Sequence, residues 1–536
     1  MRFIAVDTET TGLNIVDDKI RLISWCDENG SGASANVAEI ADLLKDKEVV
    51  KVFHYAMFDV PFLIAKGYEV NNYQCTHLLS KIIDFSADHR LAAVAKTYLG
   101  VEVDKSLQHS DNWNEELTDK HIEYAKFDAE LTYKLFPILR QKINENFSLL
   151  KEYEINMDAL KVLVKVRVNG FRFSLTEWDK QKANLQAEVE AIKEEMILEL
   201  ENALADEDDI ENIRKYANFN SYIDVLNIFG LLIPKLKSTA DAVLAKHSHI
   251  KGVKLLREYR TKYKLAYGND GFVKYISSNG KVHPNWNAIG AVTGRMSCSK
   301  PNIQQIPSSL KRFFIADEGY KIISIDYSQV ELRIAAYMSS DEAMINAFEK
   351  GEDLHLLTAK VIFSKDKISK EERGAAKEIN FGLLYGMTPK GLSVRLSNVL
   401  KEKVSVRKCE RFIEKYFRHY KKLKRWLDKQ KRKSEICTTL GKKFKAQRLS
   451  TMQRANYPIQ GTGAEVMKTA LILLDQLLPN DVKILAVVHD EVVIQAPEPS
   501  ADAVKTLAEN CMDRGFKSVV NIKSHVESNV GYNWQK

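Results

Sequence analysis

Cysteine is scarce. The 536 residues hold six, and Cys26, Cys75, Cys298, Cys409, Cys437 and Cys511 are scattered without a C-x-x-C pair. Neither a disulfide framework nor a zinc site is indicated, and a reducing compartment is expected. Proline (11) and glycine (24) are also few, which excludes collagen-like and low-complexity chains. No apolar run approaches the roughly 18 residues that span a bilayer. The start, MRFIAVDTET, passes from one Arg straight into an acidic strand, unlike a secretory leader. P-loop patterns, internal repeats and low-complexity linkers are missing as well. What remains is a globular composition, 45% hydrophobic and 28% charged, with length for two to four domains at roughly 100–200 residues each.

A net charge of +7 is too small to name a partner, but its distribution is uneven. Residues 1–138 carry 14 Lys and Arg against 23 Asp and Glu, a net of −9, which leaves +16 for residues 139–536. The basic second part is the candidate polyanion binder.

The acidic part opens with the apolar run FIAVDTETTGL, and RLISWC and VVKVFH read as further strands before helical text ending in HIEYAKFDAELTYKLFPIL. That pattern predicts a small α/β domain. From about 139 to 265 the pattern is helical and charged, which predicts an extended helical arm. Strands are expected again in FVKYI, in KIISIDYS and in the pair ILAVV and EVVIQ, with mostly helix over 341–478. A sheet flanked by two helical lobes fits this interleaving.

Asp7 and Glu9 are two apart on a predicted strand, so both carboxylates point to one face. Alone, such a pair is a strand entering a turn. Asp59 in FHYAMFD adds an acid, and Tyr124 and Asp128 stand i, i+4 on a helix. Hard oxygen donors of this kind suit Mg²⁺ or Mn²⁺ ions that activate water for phosphodiester hydrolysis. In the second part, a β-rich run reaches Asp326, and His489, Asp490 and Glu491 fall between two strand-like runs that read as a hairpin. Two carboxylates at strand ends can meet, as phosphoryl transfer from a nucleoside triphosphate requires. Between them lies RGAAKEINFGLLYG, where Arg373, Lys377, Phe381 and Tyr385 recur every four residues along one helical stripe. Two cations followed by two aromatics can hold a triphosphate and stack a base.

DTET, FD and YAKFD together resemble the three motifs of the DnaQ-like 3′→5′ proofreading exonucleases, whose fold is ribonuclease-H-like, over residues 1 to about 138. The resemblance implies that Asp7, Glu9, Asp59 and Asp128 carry metals and that Tyr124 positions the water. Tyr55 departs from the pattern, standing where the second motif usually has Asn. DYSQVELR, R-x3-K-x3-F-x3-YG and VHDE resemble motifs A, B and C of the family A DNA polymerases, with TGRMSCSKPNIQQIP, EDLHLLTA, NYPIQGTGAEVMKTA and GYNW in matching order. The arrangement is similar to the large fragment of bacterial DNA polymerase I or a phage relative, across essentially the whole chain.

That resemblance implies an α/β and α+β multidomain chain. The exonuclease would occupy 1–138, and a right-hand polymerase 139–536, with thumb at about 150–270, palm at about 271–340 and 479–536, and fingers at about 341–478. Asp326 and Asp490 would ligate two Mg²⁺ ions, Mn²⁺ able to substitute, with Glu491 an auxiliary acid and Lys377 a general acid. Arg373, Lys377 and His355 would bind the triphosphate, Phe381, Tyr385 and Gln329 would complete the nucleotide pocket, and Glu331 would be the steric gate against ribose. Arg295, Gln304, Asn456, Gln460 and His489 would hold primer and template. Departures are Met452 for a usual Arg, Gln305 for a usual Asn, a short segment between Pro307 and Arg312, and the ending Gln535-Lys536. The basic run KYFRHYKKLKRWLDKQKRK is either a solvated helix face or a contact for single-stranded template. The expected enzyme is a monomeric, cytoplasmic DNA-directed DNA polymerase with proofreading, taking primer-template DNA and dNTPs in replication or repair. No preceding 5′-nuclease domain is expected. RNA-templated or strand-displacing synthesis, and a catalytically idle DNA-binding module, are the competing readings.

Overall fold

The computed structural model describes residues 2–104, 113–204, 207–268 and 270–535; Lys536 of the divergent ending lies outside them. The chain divides into two compact units, Met1–Arg172 with His283–Lys536, and Phe173–Val282.

In the larger unit, β1 (Phe3–Thr10), β2 (Ile20–Asp27), β3 (Gly30–Ser34), β4 (Val50–Phe53) and β5 (Tyr73–Cys75) form a five-stranded sheet in the order β3-β2-β1-β4-β5. β1 is central because Ile4, Ala5 and Val6 are buried. It pairs parallel with β4 and antiparallel with β2, where the register shifts between Glu9 and Thr10. Helix α1 (Ala56–Ala65) follows β4, and α2 (Asp119–Asn144) packs on β1 and β2 after a Thr118/His121 capping box. Helix α2 runs unbroken through position 138, and α3 (Phe147–Asn169) begins on the Asn146 cap. The apolar residues of α3 face both ways along the helix, so it packs against α1 as well as against elements much later in the chain.

The smaller unit is helical, with α4 (Leu175–Ala203), α5 (Tyr222–Leu232) and α6 (Lys251–Tyr267) around a core that includes Met196, Leu200, Phe229 and Leu256. FVKYI, expected as a strand, is not one: Asp270–Val273 is a helical turn, and Ile276 makes only an isolated bridge. Four apolar residues in five match a strand and a half-buried turn equally well, and periodicity alone does not separate them.

The rest of the larger unit begins with the short hairpin β6 (Asn285–Asn287) and β7 (Ser297–Ser299). Strand β8 (Tyr320–Tyr327) leads into α7 (Val330–Ser339), followed by α8 (Leu354–Phe363), α9 (Lys370–Leu384), α10 (Val406–His419) and α11 (Lys421–Arg432). After the two-stranded β9 (Glu435–Cys437) and β10 (Lys443–Lys445) come α12 (Thr451–Leu477), β11 (Lys483–Val488), β12 (Glu491–Pro497), α13 (Ala501–Val519) and β13 (Val526–Gly531). The second large sheet has the order β11-β12-β8-β13, all antiparallel. No helix among the described residues is long and apolar enough to cross a membrane.

Candidate active sites

Two sites emerge within the larger unit. In the first, a ligand oxygen from each of Asp7, Glu9 and Asp128 lies within 4.8 Å of the others. The strand period brings Asp7 and Glu9 to one face of β1, and α2 lays Asp128 beside them. Three carboxylates this close repel each other unless protons or cations intervene, and an all-oxygen donor set fits a hard divalent cation. Asp59 lines the same cavity, of about 700 Å³, but is not part of that cluster. Its carboxylate accepts from Thr8 N at 3.1 Å and Thr8 Oγ1 at 2.7 Å, and burial raises its pKa to about 7. The Tyr124 hydroxyl donates to Asp128, and burial together with Asp128, Glu9 and Asp7 holds its pKa far above the ordinary tyrosine value. The raised pKa keeps the hydroxyl protonated, as a donor to Asp128.

Tyr55 is half-buried in the same cavity, its ring 4.9 Å from that of His77 and its hydroxyl bonded to Asn285. Its side chain is thus committed to the protein. Arg167 of α3, which the motifs did not flag, supports the site from behind. It is buried and donates to Met57 O at 2.5 Å, to Asn285 Oδ1 at 3.3 Å and to Leu13 O at 3.3 Å.

The second site is built on the β8 edge. Asp326 lies opposite Glu491 in the β8–β12 register, and Tyr327 N donates to the backbone oxygen of Asp490 at 3.1 Å. The intervening turn puts His489 in the left-handed region, exposed, beside Asp490. Glu491 is pinned: Lys311 Nζ donates to Oε2 at 3.0 Å and Trp534 Nε1 to Oε1 at 2.9 Å, with Lys311 over the Trp534 ring. Both oxygens of this acid are already used, which suits an anchor for the hairpin better than a metal ligand. Glu331, at the start of α7, is buried and accepts from Arg295 Nη2 at 2.6 Å. Burial raises its pKa against the pull of Arg295.

Helix α9 starts on a Ser369/Glu372 capping box and buries Ala375, Ala376, Ile379, Asn380 and Leu383. The opposite face leaves Arg373 and Lys377 exposed and Phe381 and Tyr385 half-buried. Asp353 caps α8, accepting from the backbone N–H of His355 and Leu356, and its other oxygen accepts from Arg373 Nε at 2.6 Å. One carboxylate thereby joins the segments bearing His355 and Arg373, a link the sequence motif contains but does not reveal.

Of the remaining predicted residues, Gln304 donates to Val487 O at 3.1 Å, on the strand leading to Asp490. Asn456 Oδ1 and Gln329 Oε1 are buried with no hydrogen-bond partner among the described residues. Orphaned buried acceptors normally find a partner, so these two fit a ligand's donors. Gln460 is half-buried on α12 one turn beyond Asn456. Met452 touches Gly386, where a Cβ would lie 2.9 Å from Met452 Cγ, so the side chain in the usual arginine position packs against the end of α9.

Residues 180–536 match the family model described as DNA polymerase family A, and residues 1–144 match that described as 3'-5' exonuclease. The chain is similar to DNA polymerase I of Aquifex aeolicus, at 31% identity over 571 residues covering 100% of this chain and 96% of that protein. It is also similar to the thermostable DNA polymerase I of Thermus thermophilus, 31% identical over 446 residues, and to DNA polymerase I of Pseudomonas aeruginosa, 26% identical over 592 residues. The matches cover 76% and 99% of this chain but only 51% and 63% of those two longer proteins. Among solved structures, the POL domain of Pol1 from M. smegmatis in complex with DNA primer-template and dNTP has the same fold, with TM-score 0.82 and 22% identity over 99% of this chain and 95% of that one.

Proposed function

The chain belongs to the family A DNA polymerases and carries a 3′-5′ exonuclease domain ahead of the polymerase, and from that membership we propose that it copies DNA by adding dNTPs to a primer 3′ end and trims mispaired ends in its first domain. The observation that carries the polymerase assignment is the antiparallel register that sets Asp326 opposite Glu491, next to the turn bearing Asp490. In this reading the β11-β12-β8-β13 sheet is the palm, the helices from α8 to α12 are the fingers, and the helical unit Phe173–Val282 is the thumb. Both families are metal-dependent. Mg²⁺ fits the oxygen-only donor sets, two ions per site with Mn²⁺ able to substitute, held by Asp326 and Asp490 in one site and by Asp7, Glu9, Asp128 and Asp59 in the other. Bound there, such ions activate an attacking oxygen and neutralise the leaving group.

The protein's own groups do the positioning. Arg373 and Lys377 receive the triphosphate, Lys377 placed to return a proton to pyrophosphate. Phe381 and Tyr385 pack on the incoming nucleotide, and Glu331, held by Arg295, fills the space a 2′-hydroxyl needs. Asn456, Gln460, Gln304, Gln329 and His489 contact the paired end and nucleotide. In the first domain Tyr124 orients the attacking water, while Thr8 and Arg167 keep Asp59 in place. The natural partners are primer-template DNA and dNTPs, for a monomer acting in the cytoplasm.

Primer extension on a DNA template with Mg²⁺, run with and without dNTPs on matched and mismatched ends, tests both activities. Asp326→Ala or Asp490→Ala is expected to abolish extension and spare shortening, and Asp7→Ala the reverse. Continued extension by Asp490→Ala would refute the assignment of the palm site.

A further inference from the structure

His355 is buried beneath the α9 stripe, its ring 5.8 Å from that of Phe381. A neutral imidazole can hold a phosphate oxygen only through the nitrogen that carries its proton, so the tautomer decides whether this side chain attracts or repels an anion. With the Asn380 amide oriented as the structure places it, the surrounding hydrogen bonds favour one tautomer. Asn380, fully buried on α9, places Nδ2 3.0 Å from His355 Nδ1. Its Oδ1 accepts from Thr358 Oγ1 at 3.2 Å, and Thr358 Oγ1 lies 2.9 Å from the hydroxyl of Tyr420, also buried. Thr358 has one proton; given to Asn380 Oδ1, it leaves Thr358 to accept from Tyr420. The Asn380 amide then faces His355 with N–H, which can only donate, and Nδ1 must accept.

We propose that Asn380 is a positioning residue that fixes His355 as the Nε2–H tautomer, so that His355 meets the nucleotide triphosphate as a hydrogen-bond donor, with Thr358 and Tyr420 keeping the amide the right way round. The proposal rests on the reading of the Arg373–Tyr385 stripe as the nucleotide site. Burial, with Arg373 and Lys377 adding repulsion against Asp353, lowers the His355 pKa to about 4, which keeps the ring uncharged near neutral pH. The triphosphate thus meets two kinds of partner: cations on exposed side chains, and a neutral donor whose direction is set from inside the fold. The relay ends at Tyr420, at the junction of the basic helices α10 and α11. It therefore couples the packing of those helices to the proton on His355.

The tautomer is read directly by ¹⁵N NMR of protein labelled in its histidine rings, with the His355 signals identified by their loss in His355→Gln. A protonated Nε2 and an unprotonated Nδ1 near neutral pH are expected; a protonated Nδ1, or an imidazolium, would overturn the proposal. Steady-state kinetics supply the second arm. Asn380→Asp presents an acceptor to Nδ1, and is expected to raise KM for dNTP about tenfold, as for one lost hydrogen bond to a charged group, with little change in kcat. In a His355→Gln background the same substitution should add almost nothing. An equal rise in that background would mean that Asn380 acts through packing alone, and the positioning role would be wrong. If the NMR gives Nε2–H but His355→Gln leaves KM for dNTP unchanged, the triphosphate role of His355 falls while its tautomer stands. The NMR on the unaltered protein remains decisive if Asn380→Asp does not fold.

Discussion

Burial sets the charge state of single residues here, and His355 shows what that does to stability as well as to binding. Its folded pKa of about 4 lies below the ordinary histidine value of 6.5. Above pH 6.5 the ring is neutral in both the folded and the unfolded chain and contributes no pH dependence. As pH falls from 6.5 towards 4, the unfolded state takes up the proton first, so stability drops through that window, by roughly 3 kcal/mol in total. His77, in the exonuclease cavity, is pushed the same way by burial. Denaturant titrations at several pH values are expected to show wild type losing stability faster than His355→Gln between pH 6.5 and 4, and parallel curves would contradict the buried neutral ring. At this scale the sequence disclosed residues whose spacing is local: Asp7 with Glu9, Tyr124 with Asp128, and the four-residue stripe of α9. It could not disclose Arg167 or Lys311, because each acts on groups more than 100 residues away and leaves no mark on its own neighbours.

Among the elements, α12 and α13 cross so closely that the contact depends on one glycine. A Cβ on Gly515 would lie 2.7 Å from Ala470 Cα and 2.8 Å from its N and Cβ. Backbone cannot swing aside as a long side chain can, so Gly515→Ala must push the two helices apart. Overpacking of this kind costs about 1–3 kcal/mol. Because α13 also packs on β8, β12 and β13, the displacement reaches the strands that carry Asp326 and Glu491. Thermal denaturation should show the loss, and primer extension should fall with it; an unshifted melting temperature would mean that the crossing has slack. The same dependence on packing explains which elements were legible. β1, β8, β11 and β12 are buried apolar runs and announce themselves. β3 reads GSGAS and β5 has three residues, so both exist because a neighbouring edge is open to pair with them. FVKYI failed in the opposite sense, its strand-like composition being overruled by local helical packing.

For the whole molecule, the question is how an exonuclease fold and a polymerase fold share one compact unit, Met1–Arg172 with His283–Lys536. The motifs and the charge asymmetry predict a division at about residue 138, but helical periodicity cannot say whose core a helix joins. Helix α3 answers with one side chain. Arg167 bonds Met57 O, two residues before Asp59, and Leu13 O, just beyond the strand bearing Asp7 and Glu9, while its third partner, Asn285, lies in β6 on the polymerase side. Asn285 in turn holds the Tyr55 hydroxyl. Arg167→Met would keep most of the volume but leave Met57 O, the buried one of these acceptors, without its donor, at a cost of about 1–3 kcal/mol. The strain falls unequally, since two of the three bonds go to the start of α1 and to the chain just after β1, both beside the first acidic cluster, and none touches α9 or the β8–β12 edge. Shortening of a mismatched primer is therefore expected to drop by at least about tenfold, as a small misplacement of reacting groups does, with matched-primer extension nearly unchanged below the lowered melting temperature. Equal losses in both activities would show that Arg167 only holds the unit together; loss confined to shortening would show that the polymerase half helps build the exonuclease site.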